Sequence, residues 1–179
     1  MSIVSALVRL KFNLTSRKSA NQLIRDAMKK NVAVAGKLVP SGCKTSAKVP
    51  KLLGVDEDML DWNFYQILEH NVIVNRRIAE SVLHLVGKGP QPDPNFRIKH
   101  DVIPSISAGV EQIEAFEKSV EDYLQILTTV PKLRGTETVQ HPIFGPIDAQ
   151  KSRCLFGFHL QMHRKQAEAL IPLAGDQSF

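Results

Sequence analysis

WNFYQILEHNVIVNRRIAESVLHLV, residues 62–86, decides the fold. Phe64, Ile67, Leu68, Val74, Ile78, Val82 and Leu85 recur at intervals that keep one helical face apolar. With Leu60 in front, the pattern predicts one long helix over about 56–86. Gly87 and Gly89, followed by Pro90, Pro92 and Pro94, end it.

The same period appears on both sides of this helix. Upstream, Leu23, Ile24, Ala27, Met28, Val32 and Ala35 predict a helix over about 16–38. Before it, Val8, Leu10, Phe12 and Leu14 alternate with Arg9, Lys11 and Asn13, which fits a short strand or an early start of the helix. Pro40, Ser41, Gly42 and Pro50 bracket a lysine-rich connector. Downstream, Pro104 suits a first helical turn, and Val110, Ile113, Phe116, Val120, Tyr123, Leu124 and Leu127 carry the stripe of a helix over about 103–128. Pro131 and Gly135 open a long loop. Asp148, a good N-cap, begins a fourth helix over about 148–170, with Pro172 and Gly175 closing it. Four amphipathic helices, few strand signals and no repeat predict an all-α four-helix bundle, one domain over residues 1–179.

Composition bounds the function. The chain is 43% hydrophobic and 23% charged over 179 residues, ordinary for a globular domain with a real core. No apolar run reaches the ~18–20 residues of a membrane span, and no continuous apolar stretch of a secretory signal stands at the start. Two isolated cysteines, Cys43 and Cys154, form no framework and agree with a reducing compartment, so a cytoplasmic location is expected. Residues 1–51 hold eleven Lys or Arg against one acid, Asp26. An organellar transit peptide has this composition too, but the helical pattern running on through the segment favours part of the bundle. The cations are scattered, and Phe12 is the only aromatic among them. A solvated positive face is therefore expected rather than contact with nucleic acid.

FHLQMHRKQ, residues 158–166, carries the chemistry. His159 and His163 are four apart, so on a helix their imidazoles lie one above the other and can address a single point, as two metal ligands must. A catalytic site takes a third protein ligand. His70, between Ile67 and Val74 on the inward stripe, is the best candidate. His84 is near a helix end, His100 is in a polar loop and His141 opens HPIFG. Leu160 and Gln161 replace the glutamate that a zinc peptidase helix needs, which disfavours that class. Asn75 and Gln166 are the polar residues best placed to orient the ligands, ahead of Glu69 and Asn71. GKLVPSGCKTS, from Gly36, has the wrong glycine spacing for a phosphate loop. Cys154, five residues before His159, is turned away from the histidine face.

A histidine inside the second helix, followed far downstream by H-x-x-x-H in the fourth, resembles the DinB-like superfamily of metal-binding four-helix proteins. HPIFGPIDAQKSRCLFGFHLQMHRKQ, residues 141–166, is similar to a branch whose last helix follows His-Pro-x-Phe-Gly. The likeness runs from Trp62 to Leu170 and is strongest over 141–166. It departs from the branch at Met162, where a second adjacent histidine is common, and in the proline-rich loop 89–104. The resemblance implies a divalent ion on His70, His159 and His163, with nickel, zinc, iron and manganese undistinguished. It also implies a low-molecular-weight thiol as co-reactant, S-transfer or hydrolysis on a small-molecule substrate, and a homodimer. HPIFG is expected to act structurally, Phe144 packing near the start of the last helix and Gly145 permitting the turn, while His141 could line the pocket mouth. The competing expectation is a non-catalytic bundle that binds a small molecule or a protein partner, with any metal structural or absent.

Overall fold

The computed structural model describes residues 3–38, 41–97, 99–141 and 143–175. Five α-helices and one short hairpin follow in the order α1 (Ile3–Leu14), α2 (Arg17–Ala35), α3 (Phe64–Leu85), α4 (Glu111–Thr128), β1 (Val139–His141), β2 (Gly145–Ile147) and α5 (Ala149–Gly175). Among the described residues the protein is all-α apart from this hairpin. Pro40 and Pro142, used as connector and motif residues in the sequence, lie outside the described residues.

The four long helices pack in a ring: α2 on α5 and α4, α3 on α4 and α5. Buried Ile24, Ile67, Phe116, Val120, Phe156 and Leu160 belong to one continuous core. Each such side chain contributes about 1.5–3 kcal/mol, which lets this core hold several buried polar groups. Along α5 one fully covered stripe runs through Ala149, Arg153, Phe156, Leu160, His163, Ala167 and Leu170, in alternating steps of four and three, with Gln166 covered beside it. An apolar stripe thus has two of its positions filled by Arg153 and His163. Gly157 lets α2 approach closely, since a Cβ there would be 3.1 Å from Leu23 and 3.3 Å from Ile24.

Several predicted boundaries move, for physical reasons. Residues 3–14 are a separate helix, neither a strand nor the start of α2. Thr15 turns its backbone N–H back to Lys11, and the Ser16 hydroxyl then caps α2 by accepting from Ser19 N–H at 3.0 Å. Val8 and Phe12 lay this helix on α5 beside Ala20, Cys154 and Phe158. Helix α3 starts at Phe64 rather than near 56, because Asn63 and Gln66 form a reciprocal capping box at 3.0 Å each way. Glu57–Met59 make only one 3-10 turn before it.

Helix α4 starts at Glu111, not near 103. The polar groups that would open a helix at Pro104 are committed elsewhere: Ser105 N–H donates to Glu69 at 2.7 Å, and the Val102 carbonyl accepts from a side chain of α3. Helix α5 continues past 170 to Gly175, with Pro172 in its final turn. The long loop after α4 contains the unpredicted hairpin, Val139 pairing Ile147 and His141 pairing Gly145. Gly145 sits at φ 65°, a conformation favouring glycine, which accounts for the turn in HPIFG.

Among the described residues no helix is long and apolar enough to cross a membrane.

Candidate metal centre

His70 and His163 occupy core positions of α3 and α5, and the seam between these helices brings them together. His159, one turn before His163, is half-buried at the edge of that seam. One nitrogen from each of His70, His159 and His163 can be chosen so that all lie within 4.8 Å of one another. Ring centroids stand 4.5 Å apart for His70 and His163, 4.5 Å for His159 and His163, and 5.2 Å for His70 and His159.

The outward hydrogen bonds fix which nitrogens face the centre. His70 Nδ1 lies 2.8 Å from the Val102 carbonyl, which can only accept, so Nδ1 carries the proton and Nε2 keeps a bare lone pair. His163 Nδ1 lies 2.8 Å from Gln166 Oε1. The amide cannot be turned the other way, because Gln166 Nε2 donates to the Met59 carbonyl. His163 Nδ1 is therefore also the protonated nitrogen, leaving Nε2 free. His159 Nε2 stands 3.2 Å from His70 Nε2, and His159 Nδ1 is covered with no hydrogen-bond partner.

Two lone pairs set inward and a third imidazole with an unmatched buried nitrogen form an acceptor-rich centre, the donor set that a divalent ion needs. The 3.2 Å separation is right for it: nitrogens about 2.1 Å from one ion are roughly 3.0–3.4 Å apart at angles between 90° and tetrahedral. The three histidines could thus hold a metal ion.

Burial keeps the cluster uncharged. It depresses His163 to about 3, helped by neighbouring His70 and opposed by the Gln166 hydrogen bond. His159 is pushed well below the usual imidazole range by burial, then by His163, His70 and His141. His70 is lowered by burial and partly restored by Val102. Metal ligation needs neutral imidazole, and at neutral pH all three are already in that form.

Of the two orienting residues named from sequence, Gln166 reaches a histidine. Asn75 does not: its amide donates to Ser119 Oγ at 2.9 Å, tying α3 to α4. Asn71 turns back on the Ile67 carbonyl. Glu69 acts at one remove by anchoring Ser105 in the loop that presents Val102. Sequence reasoning missed the Val102 carbonyl, which has no side-chain signature, and Trp62, whose ring centroid is 5.0 Å from that of His70. Cys154 is buried against Phe12 and Ala20, in a satellite cluster separate from the main core. Two open clefts elsewhere, one along Leu7, Leu10 and Leu14, the other along Arg76, Glu114 and Lys118, contain none of the three histidines.

No protein-family model matches the chain, and neither a curated protein nor a solved structure matches it.

Proposed function

We propose that this protein is a metal-dependent enzyme of the DinB-like type, in which His70, His159 and His163 hold a divalent ion for S-transfer or hydrolysis on a small electrophile. The observation that carries the proposal is the pair of outward hydrogen bonds, His70 to Val102 and His163 to Gln166, that leave Nε2 of both rings unprotonated in a cluster whose ligand nitrogens lie within 4.8 Å of one another. A core histidine kept only for packing needs one satisfied nitrogen. It does not need two neighbours whose ligand nitrogens lie within 4.8 Å of its own.

A divalent ion in such a site lowers the pKa of water or of a thiol and polarises a carbonyl. The chain's own residues do the rest. Val102 and Gln166 hold the protons of His70 and His163 at Nδ1, so neither ring can turn without losing a buried hydrogen bond worth about 1 kcal/mol. Trp62 covers one side of His70. His159, half-buried where His70 and His163 are buried, marks the side from which a small molecule can arrive. The homodimer and the thiol co-reactant rest on the family likeness alone.

The test is reconstitution of the tag-free protein with zinc, nickel, iron or manganese, followed by turnover of a panel of small electrophiles with and without a low-molecular-weight thiol. Metal-dependent turnover that His163→Ala abolishes supports the proposal. A fully loaded protein with no turnover on any substrate, with thiol or with water, would leave the binding role ahead of the enzymatic one.

A further inference from the structure

A fourth histidine, on the hairpin that packs against α5 through Phe144 and Phe158, has a different protonation pattern. His141, at the end of β1, accepts at Nδ1 from two backbone amides, Ile143 N–H at 3.2 Å and Phe144 N–H at 3.3 Å. A nitrogen that accepts cannot carry the proton, so neutral His141 holds its hydrogen on Nε2. His70 and His163 have the reverse tautomer, with Nδ1–H outward and Nε2 bare. The His141 Nε2–H has no acceptor among the described residues.

The hairpin holds this imidazole in place. His141 pairs with Gly145 across the strands, and Phe144 lies under the ring at 4.9 Å between centroids. Phe144 is itself wedged against Phe12 at 5.8 Å and Phe158 at 6.3 Å. Phe158 immediately precedes His159, so the aromatic wedge joins the hairpin to the stretch of α5 that presents the cluster. His141 also lies within electrostatic reach of His159.

We propose that His141 donates its Nε2–H to the substrate bound beside His159, and that this substrate offers an acceptor oxygen, a carbonyl or carboxylate. The inference rests on the metal-centre proposal and assigns HPIFG a role beyond folding: the turn fixes a donor next to a set of acceptors. Such a division suits an electrophile whose oxygen must be gripped while its carbon is attacked, because a fixed donor aimed at that oxygen stabilises the charge that develops there. His141 is then a contact residue for the substrate and not a fourth ligand, since its Nδ1 is occupied and its Nε2 is protonated.

The experiment loads the parent, His141→Ala and His141→Gln with cobalt, reads stoichiometry, and then titrates acetate while following the visible cobalt bands. Acetate offers the carboxylate oxygen, and glutamine restores an N–H donor. The expected result is equal cobalt content in all three, acetate about tenfold weaker in His141→Ala, and most of that loss recovered in His141→Gln. Equal acetate affinity in parent and His141→Ala overturns the assignment. Loss of cobalt from folded His141→Ala also overturns it, by making the residue a ligand. A parent that takes up no cobalt and no other divalent ion overturns the metal centre and this inference together, and stoichiometry distinguishes that failure from the other two.

Discussion

Arg153 and His163 occupy equivalent places in one apolar stripe of α5, ten residues apart and each only 1% exposed, yet the structure treats them in opposite ways. Arg153 brings donors. It bonds Gln150 Oε1 and, at 3.4 Å, Asn21 Oδ1, faces no carboxylate among its partners, and leaves Nε unmatched. Burial lowers its pKa, with Arg17 and Arg134 adding repulsion. His163 brings an acceptor into a group of acceptors. A surplus of donors made of amides and a guanidinium is a structural tie, whereas a surplus of imidazole lone pairs calls for a cation. The same helix therefore carries a structural polar site in its first half and, in its second, two of the three histidines that could hold a metal ion.

The comparison breaks most visibly at Arg153. Arg153→Ala should cost about 3 kcal/mol, since it leaves Gln150 Oε1 unpaired and opens a large void, and should leave metal stoichiometry unchanged. Denaturant unfolding with metal analysis checks both halves. Loss of metal from the folded variant would join the two sites.

Metal itself should act on the second site alone. At a free concentration one hundred times Kd, zinc or nickel should stabilise the parent by about 2.7 kcal/mol, and His163→Ala by nothing measurable. Thermal unfolding with and without the ion reads the difference, and an equal shift in both proteins would place the ion elsewhere.

Acid should likewise act through the histidines. His163 titrates near 3 in the folded chain, against about 6.5 when unfolded. Above pH 6.5 it is neutral in both states and adds no slope. Below that value the unfolded chain takes up a proton that the folded chain refuses. Stability of the metal-free protein should then fall by about 1.4 kcal/mol per pH unit toward pH 3 for this residue. Urea midpoints between pH 7 and 4 follow it, and His163→Leu should flatten the slope. Arg153 stays charged throughout and contributes nothing there.

The smallest effect sharpens the comparison. Gln166→Leu removes the acceptor that fixes His163 and should weaken metal about tenfold without loss of stoichiometry at saturation. Competition against a chelating dye measures it, and an unchanged affinity would show that the tautomer is set in another way.

Helix periodicity made the all-α class and the histidines legible. His159 and His163 were readable because i,i+4 spacing survives any helix boundary error, and His70 because it falls on the inward stripe of α3. Boundaries were less readable, since they depend on where backbone groups find partners. The Asn63–Gln66 box could have been recognised from its side chains, but Val102 turning its carbonyl to His70 could not. Asn75 was misassigned for a related reason: a stripe gives the face of a helix, not which neighbour meets it, and here Ser119 does. The HPIFG motif shows His141 as part of a turn that could line the pocket mouth, but not as a donor, because its tautomer depends on two backbone amides that come together once the hairpin has formed.

The most direct measurement is elemental analysis of the tag-free protein beside His163→Ala, both folded by circular dichroism and dialysed against trace zinc, nickel and manganese. One divalent ion per chain in the parent, and essentially none in the variant, is the predicted result. A folded parent that holds no ion under any of these conditions, or a variant that retains it fully, would contradict a metal centre on His70, His159 and His163.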